Sequence, residues 1–138
     1  MPATAMHTKH LAPLFTTREL AATREFWTRH LGFGVYFETP EYLGLRCPTN
    51  PTVELAFMTP ASEEEPQGNA DGLLYCLRVE DVDAEAARLA AEGVVLYEEP
   101  EDMPWGERRA TVLDPSGILV YLCHPIPTSG EFAGLTVR

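Results

Sequence analysis

The sequence is poor in the residues that most catalytic and cross-linking schemes need. Its three cysteines, Cys47, Cys76 and Cys123, are odd in number and have no C-x-x-C spacing. That excludes a disulfide framework or a zinc-ribbon pattern and leaves reduced, mostly buried thiols as the expectation. Histidines number only four, and no Ser-His-Asp set, reactive-cysteine motif or glycine-rich phosphate loop stands out. No apolar run approaches the roughly 18 residues of a membrane span, and no basic-plus-apolar leader opens the chain. A soluble, cytoplasmic protein with no membrane partner is therefore expected. Basic side chains are scarce too: ten against twenty-one acidic ones leave a net charge of −11. Such a balance argues against nucleic acid or anionic lipid as partner. It is either a solvated acidic surface or a field that attracts a cationic ligand.

What is present is enough to build a core. An apolar share of 45% over 138 residues suits one domain, or two half-domains. The most informative stretch is residues 104–122. A strand (108–113) meets the turn Asp114-Pro115-Ser116-Gly117 and a second strand (118–123). Asp114 can bond its own turn backbone, Pro115 presets φ and Gly117 tolerates positive φ, so an antiparallel hairpin is predicted. Upstream, the pattern predicts strand 9–16, helix 18–30 stopped by Gly32, then strands 33–38, 42–47 and 52–58. Leu20, Trp27 and Leu31 are expected to form the stripe of that helix, with Thr23 and Phe26 flanking and Trp27 in the core. Pro40, Pro48 and Pro51 are placed between strands. Residues 60–72 have almost nothing to bury and read as an exposed, mobile linker. Beyond it come strand 73–79, helix 81–92 with Val82, Ala86 and Leu89 inward, a stop at Gly93, and strand 94–98.

The two halves repeat. "RELAATREFWTRHLGFGVYFE" and "EDVDAEAARLAAEGVVLYEE" share an acidic helix start, an apolar stripe, a glycine stop and an acidic-ended strand. Each unit reads as strand-helix-strand-strand-strand and leaves one sheet face bare when alone. The expectation is an α+β fold of two βαβββ modules forming a curved mixed sheet around a cavity, assembled as a two-fold homodimer. The boundaries are a leader (1–9), modules at 10–59 and 73–124, the linker 60–72, and a tail (125–138).

The hairpin sequence "WGERRATVLDPSGILVYL" resembles the closing hairpin of the vicinal oxygen chelate superfamily, which includes glyoxalase I, bleomycin-resistance proteins and extradiol dioxygenases. The resemblance covers about residues 10–124 and implies the paired βαβββ modules. It also implies four places for metal ligands, on the first, fourth, fifth and eighth strands. Carried over one by one, they fall on Ala12, Glu54, Leu74 and Tyr121. Alanine and leucine have no ligand atom, neutral tyrosine is a poor substitute for carboxylate, and one carboxylate cannot hold a divalent ion against water. A two-residue slip to His10 would restore one ligand but not the set. His7 and His30 read as surface residues and His124 as a rim residue. No metal ligand, cofactor or catalytic residue is therefore assigned.

Strand parity then predicts the face lining the cavity. Leu14, Thr16, Ala56, Met58, Cys76, Arg78, Leu119 and Cys123 should join Ala12, Glu54, Leu74 and Tyr121 there. The opposite parity (Phe15, Val53, Leu55, Phe57, Tyr75, Leu77, Val79, Ile118, Val120 and Leu122) is almost purely apolar and should pack on the helices. The ligand-binding candidates are Glu54, Met58, Arg78, Trp105, Arg108 and Tyr121. Glu54 and Arg78 either contact a ligand or pair with each other. Trp105 is a stacking lid or a cap on the sheet end, and Arg108 touches a ligand or balances Glu107. The expected function is metal-free binding of a small aromatic or cationic molecule, as in bleomycin-resistance proteins. The alternatives are a lyase, isomerase or oxygenase with a degenerate metal site, or a sensor without turnover.

Overall fold

Asp114 builds the closing hairpin. It is buried, its Oδ1 accepts from the N–H groups of Ser116 and Ile118 at 2.9 Å each, and its carbonyl accepts from Gly117 at 3.0 Å. One side chain thus satisfies the turn and sets the register of the strands on either side. The computed structural model describes residues 6, 7, 9, 11–64 and 73–134. The chain divides into two units, residues 1–67 and 68–138.

The first unit runs β1 (Leu14–Thr16), α1 (Leu20–Glu25), a π-helical turn (Phe26–His30), β2 (Gly34–Thr39), β3 (Tyr42–Cys47) and β4 (Asn50–Met58). Its sheet order is β1-β4-β3-β2, with β1 parallel to β4 and the other pairs antiparallel. Alternation puts Phe15, Leu43, Leu45, Leu55 and Phe57 in the core, where they meet Phe26, Trp27 and Phe33. Trp27 is fully buried and meets Phe33 edge-on at 5.1 Å and Phe57 at 6.2 Å. Losing so large a core side chain typically costs about 3–5 kcal/mol. The buried stripe of this helix is Thr23, Phe26 and Trp27, whereas Leu20 and Leu31 are only half-buried. The π turn, marked by Leu31 N–H donating to the Phe26 carbonyl at 3.2 Å, adds a residue to the turn and rotates the residues after it away from simple 3.6 spacing.

The second unit runs β5 (Tyr75–Arg78), α2 (Val82–Ala91), β6 (Leu96–Met103), β7 (Glu107–Leu113) and β8 (Leu119–Pro125), with a 3-10 turn (Gly130–Phe132) after it. Its order, β5-β8-β7-β6, repeats that of the first unit, again with one parallel pair. The α+β fold of two βαβββ modules is therefore as the repeat implied. Asp81 caps α2 by accepting from Ala84 N–H at 3.1 Å, and His124 Nδ1 accepts from Val82 N–H at 2.9 Å. Two donors of the first turn are thereby satisfied. Val82, Ala86 and Leu89 are buried, as their spacing predicted.

Several boundaries differ from the sequence expectation. The strand β1 is shorter than 9–16, and β4 begins at Asn50, so Pro51 lies inside a strand, exposed near its start. The strand β6 extends to Met103 through Pro100, where its pairing with β7 shifts between Glu98 and Glu101. Of the cysteines only Cys123 is buried; Cys47 is intermediate and Cys76 exposed. His124 is a helix cap rather than a free rim residue. His10, most of the linker (65–72) and parts of the leader and tail lie outside the described residues. No helix among the described residues is long and apolar enough to cross a membrane.

Candidate functional site

In each module the face opposite the helix carries one arginine laid over a tyrosine. On the first, a β-bulge between Val35 and Phe37 re-aims Tyr36 across β3. Its ring settles on Gly44, where an added Cβ would lie 2.8 Å from the ring carbon Cζ. The Arg46 guanidinium then sits 4.4 Å from the Tyr36 ring centre and donates from Nε to the Glu54 carboxylate at 3.0 Å. The Glu54 side chain is only 5% exposed against 43% for Arg46, so a covered carboxylate is neutralised from the solvent side. Burial, then the Glu54 charge, raise the Tyr36 phenol above its ordinary pKa. Met58 shares this face at the end of β4, level with Thr16 and Tyr42.

On the second module, Arg109 stands opposite Cys123 and Thr111 opposite Tyr121. The Arg109 guanidinium lies 4.1 Å from the Tyr121 ring centre and 5.7 Å from that of Trp105. Both are within the roughly 6 Å at which a cation gains from an aromatic face. Trp105, in the β6–β7 turn, remains 42% exposed and meets Phe132 edge-on at 6.2 Å. The tail reaches it by folding back on its own module: Ser129 N–H donates to the Pro104 carbonyl at 2.9 Å and Ile126 N–H to that of Gly106 at 3.0 Å. Arg78 ends β5 on the same face, opposite Cys123.

Of the six residues singled out in the sequence, Trp105 and Tyr121 are brought together, through Arg109, which parity arguments on β5 and β8 alone did not reach. Arg78 joins their face. Glu54 and Met58 lie on the first module, where the partner of Glu54 is Arg46. Arg108 points the other way: it donates to both Asp83 oxygens at 2.7 and 2.8 Å and to Asp102 at 2.8 Å, clamping α2 to β6 and β7. The Asp83 carboxyl is held below its ordinary pKa by that guanidinium. Two grooves among the described residues measure about 360 Å³, between α2 and β6, and about 510 Å³, beside Arg18 and residues 59–63.

The match to a family model decides the affiliation. Residues 7–122 match the Glyoxalase/Bleomycin resistance protein/Dioxygenase superfamily. The chain belongs to that superfamily. Among solved structures, this glyoxalase-superfamily protein is similar to a glyoxalase/bleomycin resistance protein/dioxygenase from Nocardioides (22% identity, TM-score 0.72, 98% of this chain and 93% of that one). It is also similar to TnmS3, an antibiotic binding protein from Streptomyces sp. CB03234 (28%, 0.68, 88% and 99%). Lactoylglutathione lyase from Agrobacterium tumefaciens shares the fold at 18% identity (TM-score 0.66, 86% and 96%). No curated protein matches it. The four places to which the resemblance carries the superfamily's metal ligands do not suit a divalent ion. Ala12 and Leu74 offer no donor, Tyr121 lies under a guanidinium, and the Glu54 carboxylate is taken up by Arg46.

Proposed function

We propose that this protein binds a small planar aromatic molecule, of the antibiotic-like kind, without transforming it, in the manner of bleomycin-resistance proteins. The observation that carries this reading is the Trp105-Arg109-Tyr121 arrangement on the face of the second module opposite α2. Trp105 offers an exposed stacking surface, and the Arg109 guanidinium keeps donors for a ligand oxygen, its one ion pair among the described residues, to Glu107, being long at 3.9 Å. Arg78 supplies a second cation on that face. The likeness to TnmS3 supports the same reading. A neutral or oxygen-rich aromatic suits these groups better than a bare cation, because Arg109 and Arg78 are both positively charged.

A two-fold homodimer is part of the proposal. Leu14 in β1 and Leu113 in β7 stay 52% and 47% exposed, and Leu74, just before β5, 37%; a second copy would give such surfaces cover. The testing experiment is a thermal-shift screen of planar aromatic antibiotics, with light scattering on the same samples. A ligand of the native state raises the melting point by mass action, and its recovery unchanged in mass is expected. Recovery of a converted product would contradict the reading, and a monomer at micromolar concentration would remove the dimer from it.

A further inference from the structure

Cys76, Cys123 and Glu107 run diagonally across β5, β8 and β7 on the face of the second module opposite α2. The two sulfurs are 3.0 Å apart, and one donor atom from each of the three residues lies within 4.8 Å of the others. Cys123 is 3% exposed and forms the floor, while Cys76 is exposed and Glu107 half-buried, so an ion could reach the group from solvent. Among the described residues the ion pair of Glu107 is the long 3.9 Å approach to Arg109. These residues are a different set from Ala12, Glu54, Leu74 and Tyr121.

We propose that Cys76, Cys123 and Glu107 form a binding site for one thiophilic divalent ion of the zinc class. Two thiolates and a carboxylate are donors that zinc and cadmium prefer over magnesium or calcium, and three protein ligands leave a fourth, open position for water. Zinc–sulfur bonds of about 2.3 Å in a tetrahedral centre hold two sulfurs roughly 3.8 Å apart. The thiols need therefore open by less than about 1 Å, which a side-chain rotation supplies. A disulfide fits the backbone less well. Cys76 is level with Tyr121 and Cys123 with Arg78, and diagonal neighbours in a sheet stand about 7–8 Å apart at Cα. That exceeds the roughly 4.4–6.8 Å span of disulfides.

Binding exchanges two S–H protons for two metal–sulfur bonds, releases those protons to solvent, and involves no change of oxidation state. Two thiolates, the Glu107 carboxylate and a divalent ion leave one negative charge, which Arg78, opposite Cys123, is placed to offset. Arg109 stands on the other side, near Glu107.

The test is a titration of the reduced full-length protein with cadmium under anaerobic conditions, followed by ultraviolet thiolate-to-metal charge transfer, with zinc as competitor. The expected result is a band that saturates near one ion per chain, is displaced by zinc, and is accompanied by release of about two protons. It should vanish in Cys76→Ser, weaken at least about tenfold in affinity in Glu107→Gln, and persist in Cys47→Ser. Cys76 is exposed, so its variant is expected to fold, and circular dichroism checks that. No band in the parent, an undiminished band in folded Cys76→Ser, or loss of the band in Cys47→Ser would each overturn the assignment.

Discussion

Arg46 and Glu54 stand directly opposite each other on β3 and β4, and the Arg46 Nε meets the Glu54 carboxylate at 3.0 Å. This pair occupies the carboxylate to which the resemblance carries a metal-ligand place. Glu54 is an anchored carboxylate that holds a cation of its own chain. Replacing Arg46 by methionine removes the guanidinium from a covered carboxylate. We expect a loss of roughly 1–2 kcal/mol in urea denaturation, at the lower end of the usual range because Arg46 is partly exposed. Arg46→Met combined with Glu54→Gln should recover part of it. Equal stability of parent and Arg46→Met would show that the pair contributes nothing.

Tyr36 depends on the missing side chain of Gly44. A methyl at position 44 would sit 2.8 Å from the far end of the Tyr36 ring, and this 41% exposed side chain must swing aside, so Gly44→Ala should destabilise by about 1 kcal/mol, the low end of the overpacking range. The same change in a Tyr36→Ala background should cost less, giving a coupling of about 0.5–1 kcal/mol in a double-mutant cycle. Additive losses would mean that the contact is not what requires glycine.

The thiols should separate by reactivity. A hydrogen bond from the Thr49 hydroxyl lowers the Cys47 pKa, whereas burial and then Cys76 push Cys123 up to about 12. Near pH 8, mass spectrometry after brief alkylation should find Cys47 modified well before Cys123, and Thr49→Val should slow Cys47. A raised thiol pKa favours the neutral folded form. Its contribution to stability is complete below the ordinary value of 9.0 and is lost as pH rises through about 12. Cys123→Ala should therefore lose less stability than the parent over that interval.

The fold was legible because it rests on local chemistry. Asp114, Pro115 and Gly117 fix the hairpin, and the two glycine-stopped helices reveal the repeat. The packed face of β4 and β8 also followed from alternation, since Phe57, Val120 and Leu122 are buried as expected, although Ala56 and Cys123 of the opposite parity are buried too. The clusters on the open faces were only half legible. Extending parity to β3 and β7 would have found Arg46 and Arg109, and it would have put Arg108 on the helix side with Asp83. Tyr36 was hidden for another reason: a bulge carries it across the sheet, and no pattern with a period of two registers an inserted residue. The tail escaped as well. Phe132 reaches Trp105 through backbone bonds at Pro104 and Gly106, which leave no signature in composition.

The central claim is that the protein holds an aromatic ligand on Trp105, Arg109 and Tyr121 and does not change it. The most direct measurement is a fluorescence titration of the parent, Trp105→Ala and Arg109→Met with a ligand from the thermal screen, followed by recovery of that ligand. Each substitution should weaken binding by about 1–3 kcal/mol, the range lost with a buried aromatic or cation–π contact, and the ligand should return intact. Unchanged affinity in both variants, or a recovered ligand that has been converted, would contradict it.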